Sequence, residues 1–214
     1  MDQVVRKGNR VEVVTSFSER LPADLVVVGK GVLPNTEVVK HTGMKVGTGI
    51  LVDDQMRTNL EDIYAAGDVA EGRNSITGQM EVIATWSNAS AQGETAGLNM
   101  AGYSCQRQGQ FRDNVTSILG LDVASIGVSR PEGGNFRELS YDNVKEGVHR
   151  KLFLKNSRIV GALLLGRIGD AGVIRHCIAR GLDVSPWEEM IAMSPLDFAK
   201  ILFGQDFHIP FYTR

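Results

Sequence analysis

Residues 58–70 read TNLEDIYAAGDVA, and this stretch decides the interpretation of the fold. Its middle, IYAA at 63–66, has the apolar character of a short buried strand and runs directly into Gly67-Asp68. Ligands of an open α/β sheet bind at the carboxyl ends of its strands. Gly67 permits a ligand to approach the backbone closely, and an ionised Asp68 is only an acceptor, which suits a sugar or polyol hydroxyl. The stretch therefore predicts a ligand-binding turn at the end of a strand.

Further short strands are predicted on the N-terminal side of this turn. Residues 4–14 indicate a strand, a turn and a second strand, and residues 49–54 indicate another short strand. The run LVVV at 25–28 lies between an aspartate and a glycine. Such a run predicts a strand that is buried on both faces.

A helix is predicted over about 85–101, with Thr85 or Ser87 as its cap and Ala101-Gly102 at its end. One face of this helix carries only small residues. A small face allows the helix backbone to lie close either to a sheet or to a cofactor, and both interpretations are open. The small residues are Ala89, Gly93, Ala96 and Gly97.

The chain changes character after the polar segment 106–110, which is a candidate domain boundary. A helix is predicted over 170–180 with Asp170 as its cap, and further helices are predicted to start at Ser185 and Ser194. The apolar patterns also predict strands, with a hairpin turn at 155–158. These strands cover 115–129, 136–141, 148–155 and 158–166.

The glycine-rich segment GRIGDAG at 166–172 has two interpretations. It follows a predicted strand and opens a predicted helix, so its backbone amides could bind an anion. A tight strand-to-helix turn without any ligand explains the same glycines and is the favoured interpretation.

Composition excludes several classes of function. The 214 residues include 23 Lys and Arg against 25 Asp and Glu, a net charge of −2, which argues against a nucleic-acid partner. No apolar run approaches the ~18 residues of a membrane span, and the N-terminus lacks the pattern of a signal peptide, so a cytoplasmic protein without a membrane partner is expected. Cys105 and Cys177 lack the spacing of a metal site, and no metal is expected.

The stretch 58–70 closely resembles the second flavin-binding motif of the pyridine nucleotide-disulfide oxidoreductases. This resemblance implies that Asp68 hydrogen-bonds the ribityl chain of FAD, with Gly67 beside it. The segment TWSNA at 85–89 is similar to the helix start that follows in the NADH oxidase, rubredoxin reductase and nitrite reductase flavoprotein branch. There, backbone N–H groups at Thr85 and Trp86 would face the pyrimidine end of the flavin, where a helix N-terminus stabilises negative charge. For the Trp86 side chain, a core position and a functional position are both open.

The same resemblance implies a fold class between α/β and α+β, in three parts. Residues 1–32 correspond to a remnant of the NAD(P)H-binding domain, 33–105 to the C-terminal half of the FAD-binding domain, and 106–214 to a C-terminal interface domain of antiparallel strands with a helical tail. The glycine motif GxGxxG, with which the family binds the ADP part of FAD, is not in this sequence. We therefore expect a C-terminal fragment of such an enzyme.

The resemblance implies a parent enzyme that passes a hydride from NAD(P)H to FAD and electrons on to a disulfide, oxygen or a redox protein. No catalytic residue is predicted in this chain, since its histidines (His41, His149, His176, His208) have no acid-base partner that matches the family. The chain alone is expected to be inactive, to bind FAD weakly or not at all, and to form a homodimer. The alternative is a non-catalytic dimerisation module.

Overall fold

The computed structural model describes residues 3–8, 10–131 and 133–204, and the chain divides into two compact units, 1–33 and 34–214. The first unit is a three-stranded antiparallel sheet in the order β1-β2-β3, which confirms the strand pair predicted over 4–14. Its strands are β1 (Gln3–Lys7), β2 (Arg10–Val14) and β3 (Arg20–Ala23).

The strand predicted over 25–28 is wrong. These residues have no regular structure, and Leu25 and Val27 are 78% and 84% exposed. A strand buried on both faces needs a neighbouring strand and a covering layer. No strand in the described part of the chain pairs with this segment, so its apolar composition does not lead to burial here.

The second unit contains a small mixed sheet, and the stretch 58–70 leads into its middle strand. Strand β4 (Ile50–Leu51) runs parallel to β5 (Ala70–Arg73), and β5 pairs antiparallel with β6 (Met80–Val82). A small core of buried apolar side chains lies between this sheet, the loops that precede it and the first helix. Its members are Ile50, Val52, Met56, Ala65, Ala70 and Ala96.

The strand predicted over 63–66 is also wrong, because the strand follows Gly67-Asp68 instead of preceding it. Backbone N–H and C=O groups of this segment form hydrogen bonds with the loop just before it. The N–H of Thr58 donates to the C=O of Ile63 at 3.0 Å, and the N–H of Ala65 donates to the C=O of Met56 at 3.2 Å. These local bonds take up the groups that a sheet partner would have bound.

The rest of the second unit is built on a five-stranded antiparallel sheet in the order β7-β8-β11-β10-β9. The predicted strands are confirmed, and the segment 115–129 is divided into two strands by a turn at Leu119-Gly120. The hairpin between β10 and β11 turns at Asn156-Ser157, both with positive φ, as the type I′ turn requires. The strands are β7 (Asp113–Ile118), β8 (Leu121–Gly127), β9 (Arg137–Asn143), β10 (Val148–Lys155) and β11 (Arg158–Leu165).

Within the described residues, four α-helices accompany these sheets, and the helices predicted over 85–101 and 170–180 are confirmed. The region predicted as a helix from Ser185 is a 3-10 turn followed by a short helix, and a further helix begins after Ser194. The aromatic segment 207–212 and His208 lie outside the described residues. The helices are α1 (Trp86–Met100), α2 (Ala171–Arg180), α3 (Glu188–Met193) and α4 (Pro195–Phe203).

The glycine-rich segment 166–172 forms a tight turn between β11 and α2. Gly166 has φ +82°, and a Cβ on it would lie 2.0 Å from the carbonyl oxygen of Gly147. Close backbone contact therefore accounts for this glycine, in agreement with the favoured interpretation.

Asp170 occupies the N-cap position of α2, but its side chain makes no capping hydrogen bond. The carboxylate pairs instead with Arg150 on β10, with Nη2 2.6 Å from Oδ2 and both side chains buried. Arg150 Nη1 also donates to the C=O of Met193 at 2.8 Å. Burial raises the pKa of Asp170, and the Arg150 guanidinium opposes this only in part. The pair thus ties β10 to the start of α2 and to the end of α3.

None of the helices in the described ranges is long and apolar enough to cross a membrane.

Candidate functional site

The Gly67–Asp68 turn lies directly against the first turns of α1. Residues 67–69 form a 3-10 turn, and Gly67 has φ +82°, a conformation that favours glycine. The N–H of Gly67 donates to Gln92 Oε1 at 2.7 Å, and a Cβ on Gly67 would lie 3.7 Å from that of Ala89. Asp68 is exposed, and no group in the described part of the chain bonds its carboxylate. The turn therefore presents a free acceptor beside a helix N-terminus.

The N-terminus of α1 begins at Thr85, whose backbone is extended as in an N-cap. Its hydroxyl makes no capping bond and lies 3.4 Å from Ser87 Oγ. The N–H of Thr85 itself donates to the C=O of Ile83 at 3.0 Å, whereas the N–H groups of Trp86 and Ser87 have no acceptor within the described ranges. The Trp86 side chain is 91% exposed, which excludes a core position for it. The first turn of α1 thus offers free backbone donors, among them the N–H groups of Trp86 and Ser87.

The buried face of α1 is polar, and the small-residue face predicted from the sequence is only partly buried. Gly93 and Gly97 are exposed, and a Cβ on either would meet no atom within 4 Å. The helix instead turns amide side chains toward the small sheet and the segment after 105. The buried residues of this face are Asn88, Gln92, Thr95, Ala96 and Asn99.

Two buried glutamines connect the Gly67 turn to the polar segment 106–110. Gln92 Nε2 donates to Gln110 Oε1 at 2.6 Å, and Gln92 has no exposed surface. Sequence reasoning assigns neither residue a role of its own, although Gln92 belongs to the segment that resembles the helix start of the family. Glutamine is usually exposed, and Gln110 stands in a run that has the composition of a surface joint. The residues of this run gave no local signal that one of them would be buried.

Asp113, at the start of β7, joins α1 to α2. Its carboxylate accepts from Ser87 Oγ at 2.6 Å and from Arg175 Nε at 2.7 Å. The Arg175 guanidinium also lies over the ring of Phe111, 5.4 Å from its centroid. These contacts bring the segment after 110 against the N-terminus of α1.

A cavity of about 590 Å³ opens between the N-termini of α1 and α2. Both helix ends carry partial positive charge, so the cavity favours an electron-rich or anionic group. Its lining comes from both halves of the second unit. The lining residues include Thr85, Trp86, Ser87, Asp113, Gly172 and Arg175.

Among the described residues, Cys177, His149 and His176 occupy structural positions and form no acid-base or nucleophilic centre. Burial raises the pKa of the Cys177 thiol to about 11, so it stays protonated at neutral pH and is a poor nucleophile. His149 pairs with Asp142 across two strands, and the ring of His176 packs edge-on against Phe203. Within the residues described, no group of acidic, histidine or cysteine side chains is placed to hold a metal ion.

Comparison with known proteins agrees with this arrangement in both halves of the chain. The profile of the pyridine nucleotide-disulphide oxidoreductase family matches residues 1–93, and that of the rubredoxin NAD+ reductase C-terminal domain matches residues 114–182. The chain belongs to the pyridine nucleotide-disulphide oxidoreductase-like proteins.

Relatives of this family share sequence with different portions of the chain. It is 35% identical to the CoA-dependent NAD(P)H sulfur oxidoreductase of Pyrococcus furiosus, over 68% of this chain and 31% of that protein. It is 37% identical to the rubredoxin-NAD(+) reductase of Pseudomonas putida, over 46% of this chain and 26% of that protein. The structure of an NAD-dependent persulfide reductase from A. fulgidus has the same fold, with a TM-score of 0.75 and 22% identity over 97% of this chain and 44% of that one. The chain thus spans less than half the length of these relatives.

Proposed function

We propose that the chain forms the C-terminal part of an FAD-dependent NAD(P)H oxidoreductase and holds part of the flavin. The observation that carries this proposal is the contact between the Gly67–Asp68 turn and the first turns of α1. The N-terminus of α1 also lines a cavity of about 590 Å³. FAD, when bound, would accept a hydride from NAD(P)H and deliver electrons to a second substrate. The chain contributes binding and orientation to that chemistry.

The residues at the turn and the helix start fit such a cofactor. Asp68 offers an exposed carboxylate without a partner in the described residues, which can accept from a ribityl hydroxyl. Trp86 and Ser87 offer unpaired N–H groups at the positive end of α1, and Thr85 offers its hydroxyl. The cavity volume lies in the ordinary range of cofactor sites, about 300–1,000 Å³.

We assign the three parts of the chain accordingly. Residues 1–32 would derive from the NAD(P)H-binding domain, 33–105 from the FAD-binding domain, and 106–214 from the C-terminal interface domain, and the two matched profiles support this order. The rubredoxin reductase among the relatives supports a redox protein as electron acceptor, and the sulfur oxidoreductase supports a sulfur compound. We expect a cytoplasmic parent enzyme, and no turnover by this chain alone.

Replacement of Asp68 by alanine should weaken FAD binding about 10- to 150-fold, because a charge-assisted hydrogen bond is lost. We would measure FAD retention in this chain joined to the N-terminal half of the Pyrococcus relative, since the isolated chain is expected to bind FAD no more tightly than micromolar. Glu61→Ala removes an exposed carboxylate from the same stretch and serves as the control. Equal retention by the D68A variant and the unsubstituted protein would contradict the site.

A dimerisation module is the second candidate, and the exposed apolar side chains of β7 and its turn favour it. Val115 and Ile118 on this edge strand are 60% and 58% exposed, and Leu119 follows in the turn. Such an edge can pair with a second copy about a two-fold axis.

Sedimentation of the chain at low micromolar concentration should therefore give a mass near twice 23.3 kDa. Ile118→Lys should shift the chain to a monomer, because an edge lysine opposes strand pairing. Lysine at Val144, which is exposed outside this edge, should leave the mass unchanged. A monomeric unsubstituted chain would refute the dimer.

A further inference from the structure

We propose that Gln92 and Gln110 are positioning residues that together hold the Gly67–Asp68 turn in shape. They form a buried relay of amide groups, defined here as the amide relay, from the Gly67 N–H to the segment that leads into the five-stranded sheet. The consequence for flavin rests on the proposed function, whereas the control of the turn's conformation does not.

The first link of the amide relay has only one orientation. Gly67 presents an N–H, so the atom of Gln92 that faces it at 2.7 Å must be the carbonyl oxygen Oε1. Gln92 Nε2 is then directed to Gln110 Oε1, 2.6 Å away. A flipped Gln92 amide would place two donors together at one end and two acceptors at the other.

The second link, Gln110, is fixed at both of its amide atoms. Its Oε1 also accepts from Asn88 Nδ2 at 2.9 Å, and its Nε2 donates to the C=O of Glu81 at 2.9 Å. Its backbone is bound as well, since its N–H donates to the C=O of Arg73 at 3.0 Å and its C=O accepts from the N–H of Ser75 at 2.8 Å. Gln110 is buried and cannot rotate without leaving polar groups unpaired.

The amide relay ends at the N–H of Gly67, in a turn that few other contacts restrain. Gly67 has a left-handed backbone, and the side chain that follows it, Asp68, is exposed and gains no fixed position from packing. The hydrogen bond that the Gly67 N–H donates to Gln92 Oε1 therefore restrains this peptide from the buried side. Apolar residues at 92 and 110 would fill the same space, but they would give the turn no directional bond.

The segment that holds Gln110 also holds the start of α1. Three residues further on, Asp113 binds Ser87 in the first turn of the helix and Arg175 on α2. Both elements proposed to contact flavin, the turn and the helix start, are thus fixed by residues 110–113. The geometry of the turn and of the helix start therefore depends on a segment that belongs to neither element.

Gln92→Met tests the amide relay in the 214-residue chain without any cofactor. We expect the Gly67 amide to exchange with solvent about five- to tenfold faster, because its acceptor is lost. Asn99→Leu is the matched control, because Asn99 is buried on the same helix and its amide bonds the C=O groups of Thr95 and Cys105. Both variants should lower the melting temperature, but only Q92M should speed the exchange of the Gly67 amide.

Gln92→Glu keeps the test decisive if Q92M does not fold. A protonated glutamic acid has the same donor and acceptor as glutamine, whereas the ionised form opposes Gln110 Oε1 with negative charge. The Gly67 amide resonance of Q92E should match that of the unsubstituted chain at acidic pH and depart from it as the carboxyl ionises. An unchanged Gly67 resonance across this range, or equal Gly67 exchange in Q92M and N99L, would overturn the proposal. The two proposals can fail separately. If Q92M loses the exchange protection of the Gly67 amide while D68A retains FAD normally, the amide relay is supported and the proposed flavin site is refuted.

Discussion

Replacement of Arg150 by methionine should lower the free energy of unfolding by about 3–5 kcal/mol. The substitution leaves Asp170 buried without its partner, and one oxygen of that carboxylate, Oδ1, already lacks a hydrogen bond. It also removes the donor to the C=O of Met193 at the end of α3. Urea unfolding followed by circular dichroism measures the change.

Two control variants distinguish the cost of leaving the Asp170 carboxylate buried without a partner from the cost of losing an arginine side chain. Arg167→Met removes an arginine that pairs with Glu146 at an exposed position, and it should cost less than about 1 kcal/mol. The double variant R150M/D170L should recover most of the loss, since a buried ion pair can be replaced by apolar residues at small cost. A cost below about 1 kcal/mol for R150M would show that the pair is solvated.

The loss depends on pH because Arg150 opposes the rise in the pKa of Asp170 that burial causes, so R150M raises this pKa further. A carboxyl whose pKa is higher in the folded state favours folding most when it is protonated, and this contribution falls as the pH rises through the folded-state pKa. The penalty of R150M should therefore be smaller at acidic pH, where Asp170 takes up a proton, and larger at neutral pH.

Gly161→Ala should be the second strongly destabilising substitution, at about 3 kcal/mol or more. Gly161 lies on β11, where a Cβ would stand 1.9 Å from the carbonyl oxygen of Val128 and 2.6 Å from its carbon. Both atoms belong to the backbone, so the strand and the chain beyond β8 must separate to accept a methyl group. The midpoint of urea unfolding measures the effect.

Gly97→Ala provides the matched control for this substitution. Gly97 is an exposed residue of α1, and a Cβ there would meet nothing within 4 Å. Alanine favours helix over glycine by up to about 1 kcal/mol, so G97A should stabilise the chain. Equal midpoints for G161A and the unsubstituted chain would show that the strand yields easily at this point.

Elements with strong local signals could be predicted from the sequence, and elements that depend on distant partners could not. The β10–β11 hairpin has a turn at Asn156-Ser157 whose conformation is set by neighbouring residues, and helix α2 ends at Gly181 with φ +56°. The runs at 25–28 and 63–66 are apolar, but a strand also requires a partner strand, which composition does not specify. These two strand predictions are wrong because the local sequence does not show whether a partner strand lies beside the segment.

The candidate site shows the same division. The motif at 58–70 predicts Gly67 and Asp68, and the segment 85–89 predicts Thr85 and Trp86. The structure places the turn of the first pair against the helix that begins after Thr85. Gln92 and Gln110 could not be found, because a buried amide differs from an exposed one only in what surrounds it. Their role depends on contacts between residues far apart in the sequence.

The strand order of the five-stranded sheet has a consequence for folding kinetics. Strands β7 and β8 form one hairpin and β9, β10 and β11 form a meander, so most pairs join neighbours in sequence. The pairing of β8 with β11 is the exception, since residues 128–157 lie between them. Local hairpins close within microseconds. Pairing β8 with β11, in contrast, costs the conformational entropy of closing a long loop, and we call this pairing the β8–β11 seam. We expect the transition state to form at that seam, so G161A, which lies in it, should slow folding as well as lower stability.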